Sequence, residues 1–314
     1  MHAWLAALGL AMLGACEAPV PDTPAEPPAP PQKSEPAEAP VPVARSALSY
    51  ELQRYYARVQ SDLLAQGLLR TDGGGADTPF SQHNLVENFV RIALYDEYVA
   101  RAGVLVPEQT ESQLRRWGGP VRFRAVFGET VEAGQRAQDS AALTDYASRL
   151  RRASGHPIGV TGGNNANFYV LFLHEDERRQ FGPQLRTMVP GISDTVLRTI
   201  ETMPRQTFCL VFAFSRGNDP SYSQAVAVIR AEHPDLLRLS CLHEELAQGL
   251  GLANDSPVAR PSLFNDDEEF ALLTTQDELM LKILYDSRLS PGMTATQARP
   301  IVDEIAGELM GGES

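Results

Sequence analysis

The stretch Cys241-Leu-His-Glu-Glu-Leu-Ala-Gln-Gly-Leu-Gly-Leu252 decides how the chain is interpreted. Three leucines recur in it at every fourth position: Leu242, Leu246 and Leu250. This spacing predicts an amphipathic helix with one apolar face. Glu244 and Gln248 are also four residues apart, so the helix would carry an acid and an amide one turn from each other.

Strand and helix patterns are interspersed in the rest of the chain. Strands are expected at 121–127, 157–160, 167–173, 207–214 and 224–229. Further helices are expected at 139–152, around 177–187 and 192–203, and at 275–285. The continuous apolar run at 207–214 favours a central strand covered on both faces. The sequence therefore predicts an α+β fold, with a main domain over residues 117–310.

Residues 46–116 form a predicted helical N-terminal region that packs on the main domain. One helix is expected from residue 48 to residue 63. The second has Leu85, Phe89, Ile92 and Val99 on its apolar side.

The first 45 residues are expected to lie outside any packed core. A short apolar run ends in Leu13-Gly-Ala-Cys16, which resembles the lipobox of bacterial lipoproteins. The resemblance implies a signal peptide over residues 1–15 and a lipid on Cys16, although only His2 stands where a basic segment is expected. Residues 16–45 are rich in Pro, Ala and Glu, and ten of the 23 prolines fall in 17–45. This composition predicts a disordered, extended tether.

An exported chain folds in an oxidising compartment. With Cys16 lipidated, Cys209 and Cys241 remain as an even pair. We expect a disulfide between them; two buried free thiols are the alternative. The net charge of -13 is unsuited to neutralising phosphates, so no nucleic-acid partner is expected.

The helix around residue 245 resembles the zinc-binding helix of metzincin metallopeptidases, whose motif is His-Glu-x-x-His-x-x-Gly-x-x-His. The glutamate and glycine of the motif match Glu245 and Gly251. Glu244, Gln248 and Asn254 stand where the three zinc-binding histidines would be. Carboxylate and amide oxygens suit hard cations better than zinc. Gln and Asn are weak ligands, and one carboxylate cannot hold zinc tightly, so we expect that no metal binds.

The resemblance extends over roughly residues 117–286. Phe264 stands where the methionine turn would place methionine, and the helix at 275–285 is similar to a closing helix. It implies a zincin-like domain, in which a mixed sheet lies beside a long helix of the active-site type. His243 does not restore the ligand set, and we expect it at the surface or as a capping residue.

Several segments are also similar to the domain-of-unknown-function family 2927, which occurs in proteobacterial lipoproteins. They are Glu244-Glu-Leu-Ala-Gln-Gly-Leu-Gly-Leu252, Phe264-Asn-Asp-Asp267, Leu284-Tyr285 and Pro291-Gly-Met293. The activity of that family is not established, so the resemblance implies no reaction.

Three hypotheses follow for the function. The first is a non-catalytic binding or scaffolding lipoprotein of the bacterial envelope, facing the periplasm, without a cofactor. Its partners would be the membrane, through Cys16, and an envelope protein or peptide. The second is a hydrolase with Glu245 as general base and a non-histidine site for zinc or another divalent cation. The third is an unrelated α+β binding module whose similarity to zincins is coincidental.

Overall fold

The structure is a computed structural model that describes residues 44–101 and 104–311. The predicted signal peptide (1–15) and all but the last two residues of the predicted tether (16–45) lie outside the described residues. Within the described part, no helix has both the length and the apolar character needed to cross a bilayer.

Helices and strands are interspersed along the described chain. The helices are α1 (Ala47–Ala65), α2 (Gln82–Ala93), α3 (Ala133–Ser154), α4 (Glu175–Arg178), α5 (Gly182–Met188), α6 (Asp194–Glu201), α7 (Asp235–Gln248), α8 (Thr275–Leu284) and α9 (Ala295–Gly311). The strands are β1 (Tyr95–Arg101), β2 (Val104–Glu111), β3 (Arg116–Trp117), β4 (Val121–Phe127), β5 (Ile158–Val160), β6 (Phe168–Leu173), β7 (Cys209–Ser215) and β8 (Ser221–Arg230). The fold is a mixed α+β fold, as predicted.

Six of the strands in the described part form one mixed sheet. Its order is β3-β8-β6-β4-β5, and β7 pairs with β8. β3, β4, β5, β6 and β8 are linked by parallel pairings, whereas β7 runs antiparallel to β8. The predicted order is therefore present: a strand and a helix, two strands, a helical segment, two further strands and then the long helix, which is α7.

Two hydrophobic cores cover the two faces of this sheet. Every residue of β6 is buried, and successive side chains point to opposite faces. Phe168, Val170 and Phe172 pack in the larger core, which includes side chains of α2, α3, α7, α8 and α9. The side chains between them pack in the smaller core, against α5 and α6. β6 is thus a central strand that is covered on both faces.

The prediction of a central strand at 207–214 is wrong. The strand that forms there, β7, pairs with β8 along one edge, and all seven of its residues are only half-buried. Alternate residues pack on the two cores, which explains the continuous apolar run: Cys209, Val211 and Ala213 on one face, and Leu210, Phe212 and Phe214 on the other. A continuous apolar run indicates that both faces of a strand are covered. It does not indicate whether both edges of the strand pair with other strands.

The region 46–116 is not helical throughout. α2 ends at Ala93, and Val99 lies in β1 rather than on the helix. β1 and β2 form an antiparallel hairpin that begins with the pair Tyr95 and Glu111, and β2 lies against α6. The two strands pair residues that are up to sixteen positions apart in the chain. α9 was also missing from the prediction; it packs on α2, where Gln82 donates to Asp303 Oδ1.

Candidate functional site

The long helix α7 carries the residues that the sequence singled out. It begins at Asp235, six residues before the predicted start, and it ends at Gln248. Leu242 and Leu246 are buried in the larger core, which confirms the predicted apolar face. The last residues of the quoted stretch form a turn instead of a further helical turn.

Side chains from distant elements satisfy backbone carbonyls just beyond α7, which have no partner within the helix. The indole nitrogen of Trp117 donates to the carbonyl of Gly249 at 2.8 Å. The hydroxyl of Tyr285 donates to the carbonyl of Leu250 at 2.9 Å. A Cβ added at Gly249 would lie 2.4 Å from Cζ of Phe168, so the chain here packs too closely on β6 to admit a side chain.

Gly251 makes the sharp turn that follows α7. Its φ is +125°, a region open essentially to glycine alone. A Cβ at this position would lie 2.3 Å from the backbone oxygen of Arg115. The turn sends the chain to the end of α2, where Asn254 N donates to Ile92 O at 3.1 Å. Steric constraints therefore favour glycine at position 251, which matches the glycine of the metzincin motif.

Side chains at two of the three positions equivalent to zinc ligands form hydrogen bonds within the protein. Nε2 of Gln248 donates to Oδ1 of Asp255 at 3.0 Å. Nδ2 of Asn254, which is fully buried, donates to the carbonyl of Arg91 at 2.7 Å. Neutral amides are weak zinc ligands. These residues therefore do not fit zinc.

Glu244 and Glu245 lie beside the start of β7. Their carboxylate oxygens and Sγ of Cys209 all lie within 4.8 Å of one another. The sulfur is bonded to Cys241, which confirms the predicted disulfide. A disulfide sulfur is not the thiolate that binds metals, so the oxidised protein offers two carboxylates here. Glu245 is buried and Glu244 is half-buried.

His243 is not at the surface, so that prediction is wrong. Its ring stacks on Tyr146 with the centroids 3.8 Å apart, and Nδ1 accepts from the backbone nitrogen of Leu273 at 3.2 Å. Burial lowers the pKa of His243 to about 3, so the ring is neutral at physiological pH. It packs the helix against α3.

The segment between α7 and α8 is fixed by Asp277. This buried carboxylate accepts from Ser262 Oγ at 2.6 Å, from Leu263 N at 2.9 Å and from Thr274 N at 2.8 Å. Burial raises the pKa of Asp277 to about 6, although the three donors favour the charged form. Phe264, at the methionine-turn position, is buried in the larger core. The segment is therefore a packed wall of the domain.

A buried ionic cluster below α1 was not predicted from the sequence. Oε2 of Glu175 accepts from Arg178 Nη2 and from Arg230 Nη1, each at 2.6 Å. Next to it, Oε1 of Glu232 accepts from Ser49 Oγ at 2.7 Å, which joins α1 to the domain. The spacing of Glu175 from Arg178 and Arg179 could have suggested an interaction, whereas Ser49 and Arg230 lie far from Glu175 in the chain.

The fold and the site define a class: an α+β domain with a mixed sheet and a long helix that lacks the histidines of a zinc peptidase. The family model described as "Protein of unknown function (DUF2927)" matches residues 82–304, more than half of the chain. The chain belongs to this family, as its sequence resemblance implied. The match extends from α2 into α9 and leaves α1 outside. No curated protein and no solved structure matches the chain.

Proposed function

We propose that this protein is a non-catalytic binding protein, which takes up an extended peptide along the outer edge of β7. The proposal includes the envelope location: Cys16 would carry the lipid, and the domain would face the periplasm. The observation that carries it is an uncharged edge strand. The peptide would add a further strand to the sheet, with main-chain hydrogen bonds giving affinity.

β7 lacks three protections that edge strands commonly have, and its pairing with β8 is irregular only between Phe214 and Ser215. Proteins commonly protect such strands with charged residues, proline or shortness. β7 is seven residues long, reads CLVFAFS, and contains no charge and no proline. At the opposite edge of the sheet, β5 has only three residues. In residues 44–101 and 104–311, β7 pairs with β8 alone, and the hairpin strands β1 and β2 pair with each other.

The start of β7 is held rigidly, which favours binding because less ordering is needed. The disulfide ties Cys209 to Cys241 of α7. Just before the strand, Nε of Arg230 donates to the carbonyl of Thr207 at 3.2 Å. A peptide docked on this edge would pass Glu244 and Glu245, which lie beside Cys209.

The first prediction concerns metal and catalysis. We expect the purified, oxidised full chain to hold much less than one zinc per chain after dialysis against micromolar zinc. Gln248 and Asn254 are neutral amides already bound to Asp255 and Arg91. Elemental analysis measures the metal, and cleavage of an unfolded protein substrate measures activity. Stoichiometric zinc, with cleavage abolished by Glu245→Gln, would establish the hydrolase instead.

The second prediction tests strand addition with a defined neutral peptide, acetyl-Val-Thr-Val-Thr-Val-Gln-amide. We expect hydrogen exchange of backbone amides at 209–215 to slow when it binds, while β5 is unchanged. The peptide is then N-methylated at alternate residues. In a strand, the backbone N–H groups of one set of alternate residues face β7, and those of the other set face away. N-methylation of the first set should therefore abolish binding, whereas N-methylation of the second set should preserve it. Equal effects of both forms would contradict strand addition.

A further inference from the structure

A polar cavity opens where β7 ends. It has a volume of about 470 Å³, large enough for one or two side chains. The end of β7 and the following residue contribute Phe214, Ser215 and Arg216 to its wall. The start of β4 contributes Arg122, and the loop between α5 and α6 closes the remaining side. The cavity lies on the smaller-core face of the sheet, to which Phe214 points.

The charge of this cavity is opposite to that of the protein. The chain has a net charge of -13, yet the cavity wall includes two arginines and no acidic residue. The exposed guanidinium of Arg216 makes no hydrogen bond and no ion pair with any residue that the structure describes. Asp219, the acid closest to Arg216 in sequence, accepts instead from the backbone nitrogen of Ser221 at 2.8 Å.

The second arginine also keeps its charge uncompensated. Arg122 donates to the carbonyls of Asn165 and Pro120, and it forms no ion pair with a described residue. The side-chain amide of Asn167 is occupied on both sides, because it accepts from Arg122 N and donates to Pro120 O. The cavity wall is thus held in place, and the guanidinium groups remain as its binding groups.

We propose that this cavity binds a carboxylate of the peptide that docks on β7, so that the partner is an acidic peptide. The inference rests on the proposed function and names its ligand class. A strand beside β7 directs alternate side chains to the smaller-core face. At the end of β7, a side chain or chain terminus on that face reaches the cavity. Guanidinium groups bind carboxylates with paired hydrogen bonds, and a concave site concentrates their field.

Three peptides and two variants test this. The neutral peptide acetyl-Val-Thr-Val-Thr-Val-Gln-amide is compared with a form ending in Glu-amide and with a form ending in Gln with a free C-terminus. Calorimetric titration of the full chain measures each affinity. We expect at least one acidic form to bind about tenfold more tightly than the neutral peptide, a factor equivalent to about 1.4 kcal/mol. The acidic form that gains affinity over the neutral peptide shows whether the cavity binds a side-chain carboxylate or the C-terminal carboxylate.

The variant Arg216→Gln should reduce this acidic preference to less than about threefold while leaving the neutral peptide's affinity unchanged. Arg58→Gln is the matched control: it removes the same charge from an exposed position on α1, and it should keep the preference. Equal binding of all three peptides, or a preference that survives Arg216→Gln, would overturn the cavity proposal and leave strand addition intact. If none of the three binds, both proposals fall.

Discussion

Replacing Gly251 by alanine is expected to destabilise the protein by about 4 kcal/mol. Two costs add at this position. A residue with a Cβ is strained at a φ of +125°, by about 1–3 kcal/mol. The new Cβ would also lie 2.3 Å from the backbone oxygen of Arg115, which cannot move aside as a side chain could. Relieving that overlap costs about 1–3 kcal/mol more.

The matched control is Gly155→Ala, at the end of α3. Gly155 also has a positive φ, of +68°, but a Cβ there would meet nothing within 4 Å. Alanine at this site should therefore cost only about 1 kcal/mol. Urea unfolding curves of the two variants and the parent give both values. Similar losses in the two variants would show that the contact with Arg115 relaxes freely, and that the turn after α7 is less constrained than its geometry indicates.

The sequence predicted the parts of the site that local patterns encode. The apolar spacing of Leu242 and Leu246 gave the helix face, and the even number of remaining cysteines gave the disulfide. The glycine of the turn was noticed through the metzincin motif, and its steric role follows from the structure. These features depend on residues near in sequence or on covalent chemistry.

The remaining features depend on contacts between distant residues. β7 was predicted as a central strand because its two faces are covered, and no pattern in Cys209–Ser215 records which strands pair with it. The burial of His243 also depends on a distant residue, because its partner Tyr146 lies on α3, about a hundred residues earlier in the chain. The cavity at the end of β7 joins Arg122 and Arg216 only after the sheet forms.

The buried cluster below α1 is the clearest case of a feature set by distant partners, and Glu175 is its centre. The side chains of Glu175, Arg178 and Arg230 are 4%, 0% and 1% exposed. Burial alone would raise the pKa of the Glu175 carboxyl. Hydrogen bonds and charges from Arg178 and Arg230, together with a bond from Arg179, instead lower the pKa to about 2.

Glu175→Gln is expected to destabilise the protein by about 4 kcal/mol. The variant keeps the shape of the side chain but removes the charge of the carboxylate that accepts from both Arg178 and Arg230. Breaking a buried ion pair by removing one partner costs about 3–5 kcal/mol, because the other charge stays buried without compensation. The control is Asp194→Asn, which removes an exposed ion pair with Arg186 and should change the unfolding free energy little.

The pH dependence gives a second measurement of the same cluster. Because the pKa of Glu175 is lowered from 4.5 to about 2 in the folded state, its contribution is fully present above pH 4.5 and is lost as the pH falls towards 2. Titrating groups away from the cluster are shared by the parent and Glu175→Gln, so their contributions cancel when the two unfolding free energies are subtracted. The difference should be constant from pH 7 to about 5 and should shrink below that. A difference that stayed constant down to pH 2 would show that the loss comes from packing rather than from the charge on Glu175.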